Sequence, residues 1–148
     1  DVLDRDNGTF LSTVARRSLL MGLPIMPVPV VHEGEITSVD HLNSMTRPTP
    51  YKSVDWRDAL AVAAERSGSR PDMVDQQTED SDLAEGLYLK LEDADHALDR
   101  FKFVRADFLQ AIEAADGHWH DRPILPNALA DGIDIFAPVL GVEGAYDA

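Results

Sequence analysis

The sequence predicts an α+β domain: a twisted, mainly antiparallel sheet with helices at its periphery. Two runs, Glu85–Lys90 and Arg100–Arg105, alternate with the two-residue period of β-strands. The connection between them, Leu91–Asp99, is rich in Asp and Glu and short enough for a hairpin-type turn. Asp55–Ser67 instead has helical spacing, with Trp56, Leu60, Ala63 and Ala64 on one stripe and Gly68 as its stop.

From the start of the chain, Asp1–Arg5 reads as the end of a strand. Asp6-Asn7-Gly8 reads as a turn, because Asn-Gly accepts the positive φ that tight turns require. Ser12 or Thr13 can cap a helix that runs to Met21 and stops at Gly22. Arg16 and Arg17 in that helix are either a solvated pair or contacts for RNA phosphate. Pro27 and Pro29 interrupt the apolar run Ile25–Val31 and blank the same backbone edge. An edge strand pairing only through Met26, Val28 and Val30 is the expectation. Ser38–Met45 reads as a short helix capped by Ser38, and His32 and His41 as structural histidines without ligand spacing. Arg47–Lys52, with Pro48 and Pro50, is a stiff connector. The polar segment Ser69–Ser81 reads as a loop with room for one helical turn.

Beyond the paired strands, Asp107 can cap a helix to Ala115, with Phe108, Leu109, Ile112 and Ala115 inward and Gly117 closing it. In His118-Trp119-His120-Asp121 the two histidines would share a strand face. With no third ligand located, a Trp119 packed beneath the sheet is the preferred reading. Arg122–Pro126 is extended, Ile133–Leu140 is semi-apolar, and the final residues fray.

Composition narrows the class. The 148 residues suffice for one domain with a core, and a hydrophobic share of 44% is ordinary. The chain has no cysteine, which removes disulfides and thiolate metal sites and agrees with a cytoplasmic location. No apolar run approaches the ~20 residues of a membrane-spanning helix. A net charge of −14 argues against broad, non-specific nucleic-acid binding but leaves room for a local basic groove. The acids concentrate in Asp72–Asp82 and Glu92–Asp99, away from Arg100–Arg105.

Strand alternation sets Glu85, Leu87 and Leu89 on one face, and Gly86, Tyr88 and Lys90 on the other. In the second run Arg100, Lys102 and Val104 project together, opposite Phe101, Phe103 and Arg105. A carboxylate beside fixed cations suits nucleotide chemistry, since it can take a ribose hydroxyl or a metal while the cations neutralise phosphate. A salt-bridged surface hairpin accounts for the same spacing.

The paired runs also resemble two motifs of the covalent nucleotidyltransferases, the ATP-dependent ligases and RNA capping enzymes. Glu85–Lys90 looks like motif IV and Arg100–Arg105 like motif V. The wording from "AEGLYLKLED" through "RFKFVRADFLQAI" to "HWHDRPILPNALA" is similar to bacterial members of the RNA ligase family. The opening "DVLDRDNGTFLSTVARRSLL" resembles the segment of that family that begins in motif IIIa.

The resemblance implies an adenylation domain that binds ATP with Mg²⁺, transfers AMP from a lysine to an RNA 5′-phosphate, and seals it to a 3′-hydroxyl. By position, Glu85 corresponds to the motif IV glutamate, near metal and nucleotide. Lys90 ends that motif, and Lys102 corresponds to the motif V lysine at the α-phosphate. Arg100 stands where relatives often carry another basic group, and Arg105 is a further nucleotide-binding candidate. Asp1 falls on the acidic position of motif IIIa; a purely structural role is the equal alternative.

The family's nucleophile lies in a K-x-[D/H/N]-G motif, and this sequence has none. Lys52, Lys90 and Lys102 are followed by Ser-Val-Asp, Leu-Glu-Asp and Phe-Val-Arg. The expectation is therefore the C-terminal portion, residues 1–148, of a ligase catalytic domain that works with the remainder of its parent chain. The alternative is a non-catalytic nucleotide- or RNA-binding remnant.

Overall fold

The computed structural model describes residues 1–114 and 122–138, which fall into two units. The first contains Asp1–Met45, Leu87–Phe103 and the described tail from Asp134; the second contains Thr46–Gly86 and Val104–Ile133. The α+β class is borne out.

In the first unit, β1 (Leu3–Asp4) and β2 (Thr9–Leu11) pair antiparallel, with Leu3 opposite Phe10 and Asp4 opposite Thr9. Gly8 supplies the expected turn at φ +68°, and the Asp4 carboxylate accepts the Asp6 N–H at 2.9 Å. Strand β3 (Gly86–Glu92) and strand β4 (His96–Val104) are the two alternating runs. They complete a sheet in the order β1-β2-β4-β3, with Phe10 opposite Ala97 and Leu11 opposite His96. Helix α1 (Thr13–Leu20) starts at the Ser12 cap, whose hydroxyl accepts the Ala15 N–H, and Gly22 at φ +78° follows its end. Helix α2 (Val39–Met45) is capped by Ser38, which accepts the His41 N–H at 3.1 Å.

The second unit is built on α3 (Trp56–Arg66) and α4 (Pro71–Gln76), which pack together. Among the described residues Trp56, Ala64 and Val74 are its buried apolar ones, and Gly68 at φ +76° turns the chain between the helices. Trp56 donates its indole N–H to Asp82 at 2.7 Å, and Lys52 and Arg57 each lie 4.4 Å from its ring. Helix α5 (Ala106–Ala114) also belongs to this unit. Just before it, Arg105 is tied down by a 2.7 Å bond from Nε to the Ala84 carbonyl. Two further bonds of 2.8 Å run from Nη2 to the Glu79 carboxylate.

Several expectations are corrected. Ile25–Val31 forms no strand. Proline removes the N–H groups a ladder needs, and the Ile25 N–H bonds back to the Leu23 carbonyl at 2.8 Å. The connection between the paired strands is only residues 93–95, so Glu92 and Asp99 lie within strands and not in a turn. The Asp93 carboxylate closes that short turn by accepting the His96 and Asp95 N–H groups, which hold its pKa below the usual range. The Ser69–Ser81 segment contains all of α4, started by Pro71 at the first helical position. Leu109 and Ile112 of α5, expected inward, are exposed. Ala115, Gly117 and His118–Asp121 lie outside the described residues.

The Arg105–Glu79 pair generates a stability prediction. The Arg105 side chain is 7% exposed and that of Glu79 17%, so removing one charge strands the other in a covered place. Glu79→Gln is expected to lower unfolding stability by about 3 kcal/mol. The check is a fall in the urea midpoint at unchanged m-value.

Candidate functional site

The site grows from the alternation of β3 and β4. Tyr88, Lys90 and Arg100 all reach the carboxylate of Asp1, which places the three on one face of the sheet. Tyr88 donates to Asp1 Oδ2 at 2.8 Å, Arg100 Nη1 lies 3.5 Å from the same oxygen, and Lys90 Nζ lies 3.4 Å from Oδ1. The Arg100 guanidinium also stacks on Phe10, 3.7 Å from the ring centre. Lys102, two residues beyond Arg100, follows it onto this face by the strand period.

Lys90 is the most enclosed of these cations, with its side chain 11% exposed. Besides Asp1 it pairs with Glu92, and it lies 3.5 Å from both the Leu11 carbonyl and the Thr13 hydroxyl. Glu92 in turn accepts the Thr13 N–H at 2.9 Å and the Thr13 hydroxyl at 3.0 Å. It thus fixes the first turn of α1, where a carboxylate is favoured by the helix dipole. Burial raises the Glu92 pKa, but the bonds from Lys90 and Thr13 outweigh it and hold the group below the ordinary 4.5.

The predicted residues fall into distinct settings. Lys90, Arg100 and Lys102 belong to the same unit and the same sheet face. Glu85 is exposed and precedes β3, so the pleat does not fix its side-chain direction; its carbonyl accepts the Arg105 N–H at 2.9 Å. Glu85 belongs to the second unit and Lys102 to the first. Arg105 belongs to the second unit as well, and its guanidinium is engaged by Glu79 and Ala84. Asp1, left between a site role and a structural one, meets Lys90 and Arg100, two of the three hairpin cations that the resemblance assigns to nucleotide.

Reading the sequence missed Phe10, Thr13 and Glu92 as members of this network. Extending the β3 alternation by one step past Lys90 places Glu92 on the Lys90 face, a signal the acidic composition of residues 91–99 concealed. Nothing in the sequence joins Phe10 to Arg100. His32 and His41, read as structural histidines without ligand spacing, meet edge to face with ring centres 5.0 Å apart. Among the described residues no group of three or more His, Cys, Asp or Glu is placed to hold a metal ion, and no helix is long and apolar enough to cross a membrane.

No family model, curated protein or solved structure matches the chain.

The Glu92 contacts predict a pH dependence. A carboxyl whose folded pKa is depressed contributes stability above its unfolded pKa and loses it as pH falls through the folded value. Glu92→Gln is expected to cost about 1 kcal/mol at neutral pH, after allowing for solvent screening of a partly exposed pair. The difference from wild type should shrink below pH 4.5, the ordinary value of the group. Urea unfolding of both proteins across the acid range reads this. A gap independent of pH would mean that Glu92 acts by packing alone.

Proposed function

We propose that the chain is the C-terminal portion of an ATP-dependent RNA ligase catalytic domain, serving adenylyl transfer to an RNA 5′-phosphate and sealing to a 3′-hydroxyl. The observation that carries this reading is the meeting of Lys90 and Arg100, from the two motif-like runs, on one face of adjacent antiparallel strands, with Lys102 two residues further along. Cations fixed in advance on a sheet can stabilise charge that accumulates on phosphorus oxygens without reorganising.

In this reading Lys102 and Arg100 meet the phosphates of ATP. Lys90 is already neutralised by Asp1 and Glu92, so a phosphate that reached it would have to displace a carboxylate. Its more economical role is to hold Asp1 and Glu92 in position beside Arg100. Glu85 is the metal and nucleotide candidate. A Mg²⁺ ion that keeps several waters and is carried on phosphate oxygens needs only one or two protein carboxylates, so an exposed glutamate fits that demand. Arg105 acts within the second unit, where it anchors the chain after β4 to Glu79.

The absence of a K-x-[D/H/N]-G motif from the 148 residues supports the second reading, a nucleotide- or RNA-binding remnant without catalysis. Labelled ATP separates the two. This chain alone should form no covalent adenylate with Mg²⁺, whereas a longer chain carrying the motif in frame should. In that longer chain Lys102→Ala is expected to reduce adenylylation about 10²-fold, corresponding to ~3 kcal/mol of lost charge stabilisation. Glu85→Ala should act likewise. Normal labelling of the Lys102→Ala protein would remove the motif V assignment, and covalent label on Lys52 or Lys90 of the short chain would remove the requirement for a separate nucleophile.

A further inference from the structure

Arg16 and Arg17 are neighbours in α1 with opposite circumstances. Arg17 pairs with Glu33 at 3.3 Å. Arg16 is only 9% exposed, and its Nε is buried with no hydrogen-bond partner among the described residues. Its backbone N–H bonds to the Ser12 carbonyl at 2.9 Å, but no described carboxylate pairs with its guanidinium.

The side of the helix that is bonded to the hairpin is polar at its start. Arg16 lies four residues after Ser12 and three after Thr13, and these two are bonded to the hairpin through Ser12–Ala94 and Thr13–Glu92. Val14, on the opposite side, is 66% exposed, and Leu19, seven residues after Ser12 on the same side, is 56% exposed. A covered Nε–H with no acceptor among the described residues is a standing cost to the fold. Breaches of this kind are expected where function requires them.

We propose that Arg16 receives a tetrahedral oxyanion: a phosphate, either free or as the phosphoryl group of a larger ligand. The planar guanidinium presents paired N–H donors that match two oxygens of a phosphate, which chloride cannot reproduce. The inference shares no residue with the adenylyl-transfer site and stands whether or not that reading holds.

The test is thermal unfolding of the 148-residue chain at fixed ionic strength, with phosphate replacing chloride. Wild type is expected to gain roughly 3–6 °C at a tenfold excess over Kd. Arg16→Met should show an equal or higher midpoint in chloride and no gain from phosphate, while Arg17→Met should keep the gain. Adenosine should give none. Equal gains from phosphate and AMP assign the site to the phosphoryl group alone, and a larger gain from AMP assigns it to a nucleotide. An absent gain in wild type, or an undiminished gain in Arg16→Met, overturns the proposal. Should Arg16→Met fail to fold, Arg16→Lys keeps the charge without the fork and should show a reduced gain. Saturable ³¹P line broadening of phosphate by wild type must accompany it, and its absence would also overturn the proposal.

Discussion

The Glu92 carboxylate is where the first unit is held together. It joins a strand to a helix by accepting the Thr13 N–H and hydroxyl and pairing with Lys90. The reason it matters is the kind of residue that unit buries. Among the described residues its buried side chains are Ser12 and Arg16, whereas the buried apolar residues Trp56, Ala64 and Val74 all belong to the second unit. Where apolar burial is thin, the direction of α1 has to be set by bonds to named atoms. Ser12 reinforces Glu92 by donating its hydroxyl to the Ala94 carbonyl at 2.8 Å while its N–H bonds to the Asp95 carbonyl, also at 2.8 Å.

The same bonds govern what the hairpin can do with its charges. Lys90 is drawn into the Glu92 and Asp1 carboxylates, while Arg100, tied at its edge to Asp1, keeps a 38% exposed side chain. Two cations on one sheet face therefore differ in availability by environment and not by type. Arg105 illustrates the point from the second unit. Its place in the motif-like run matched a phosphate ligand, yet Glu79 and the Ala84 carbonyl take up its donors. Position in a strand supplies a cation, and the surrounding acceptors decide whether it faces a ligand or its own chain.

Where structure depends on backbone chemistry close in sequence, the sequence alone determined it. Gly8, Gly22 and Gly68 take positive φ at the three stops assigned to them, and Ser12 and Ser38 cap the helices predicted after them. The alternation that marked Glu85–Lys90 and Arg100–Arg105 reappears as β3 and β4, with both strands extended toward the turn and Glu85 and Arg105 each left one residue outside. Tertiary structure decided the rest because the deciding partners are distant in the chain. Ile25–Val31 had strand-like residues but forms no ladder, since prolines leave too few donors for a neighbour to reward. Glu92 looked like a turn acid until Thr13, 79 residues away, supplied its donors. Arg16 and Arg17 read as a solvated pair or as contacts for RNA phosphate, and only the packing of α1 on the hairpin shows that Arg17 found a carboxylate while Arg16 is covered with none among the described residues. Local rules fix where a chain turns and how a strand alternates, but the charge a side chain meets depends on contacts that no local spacing encodes.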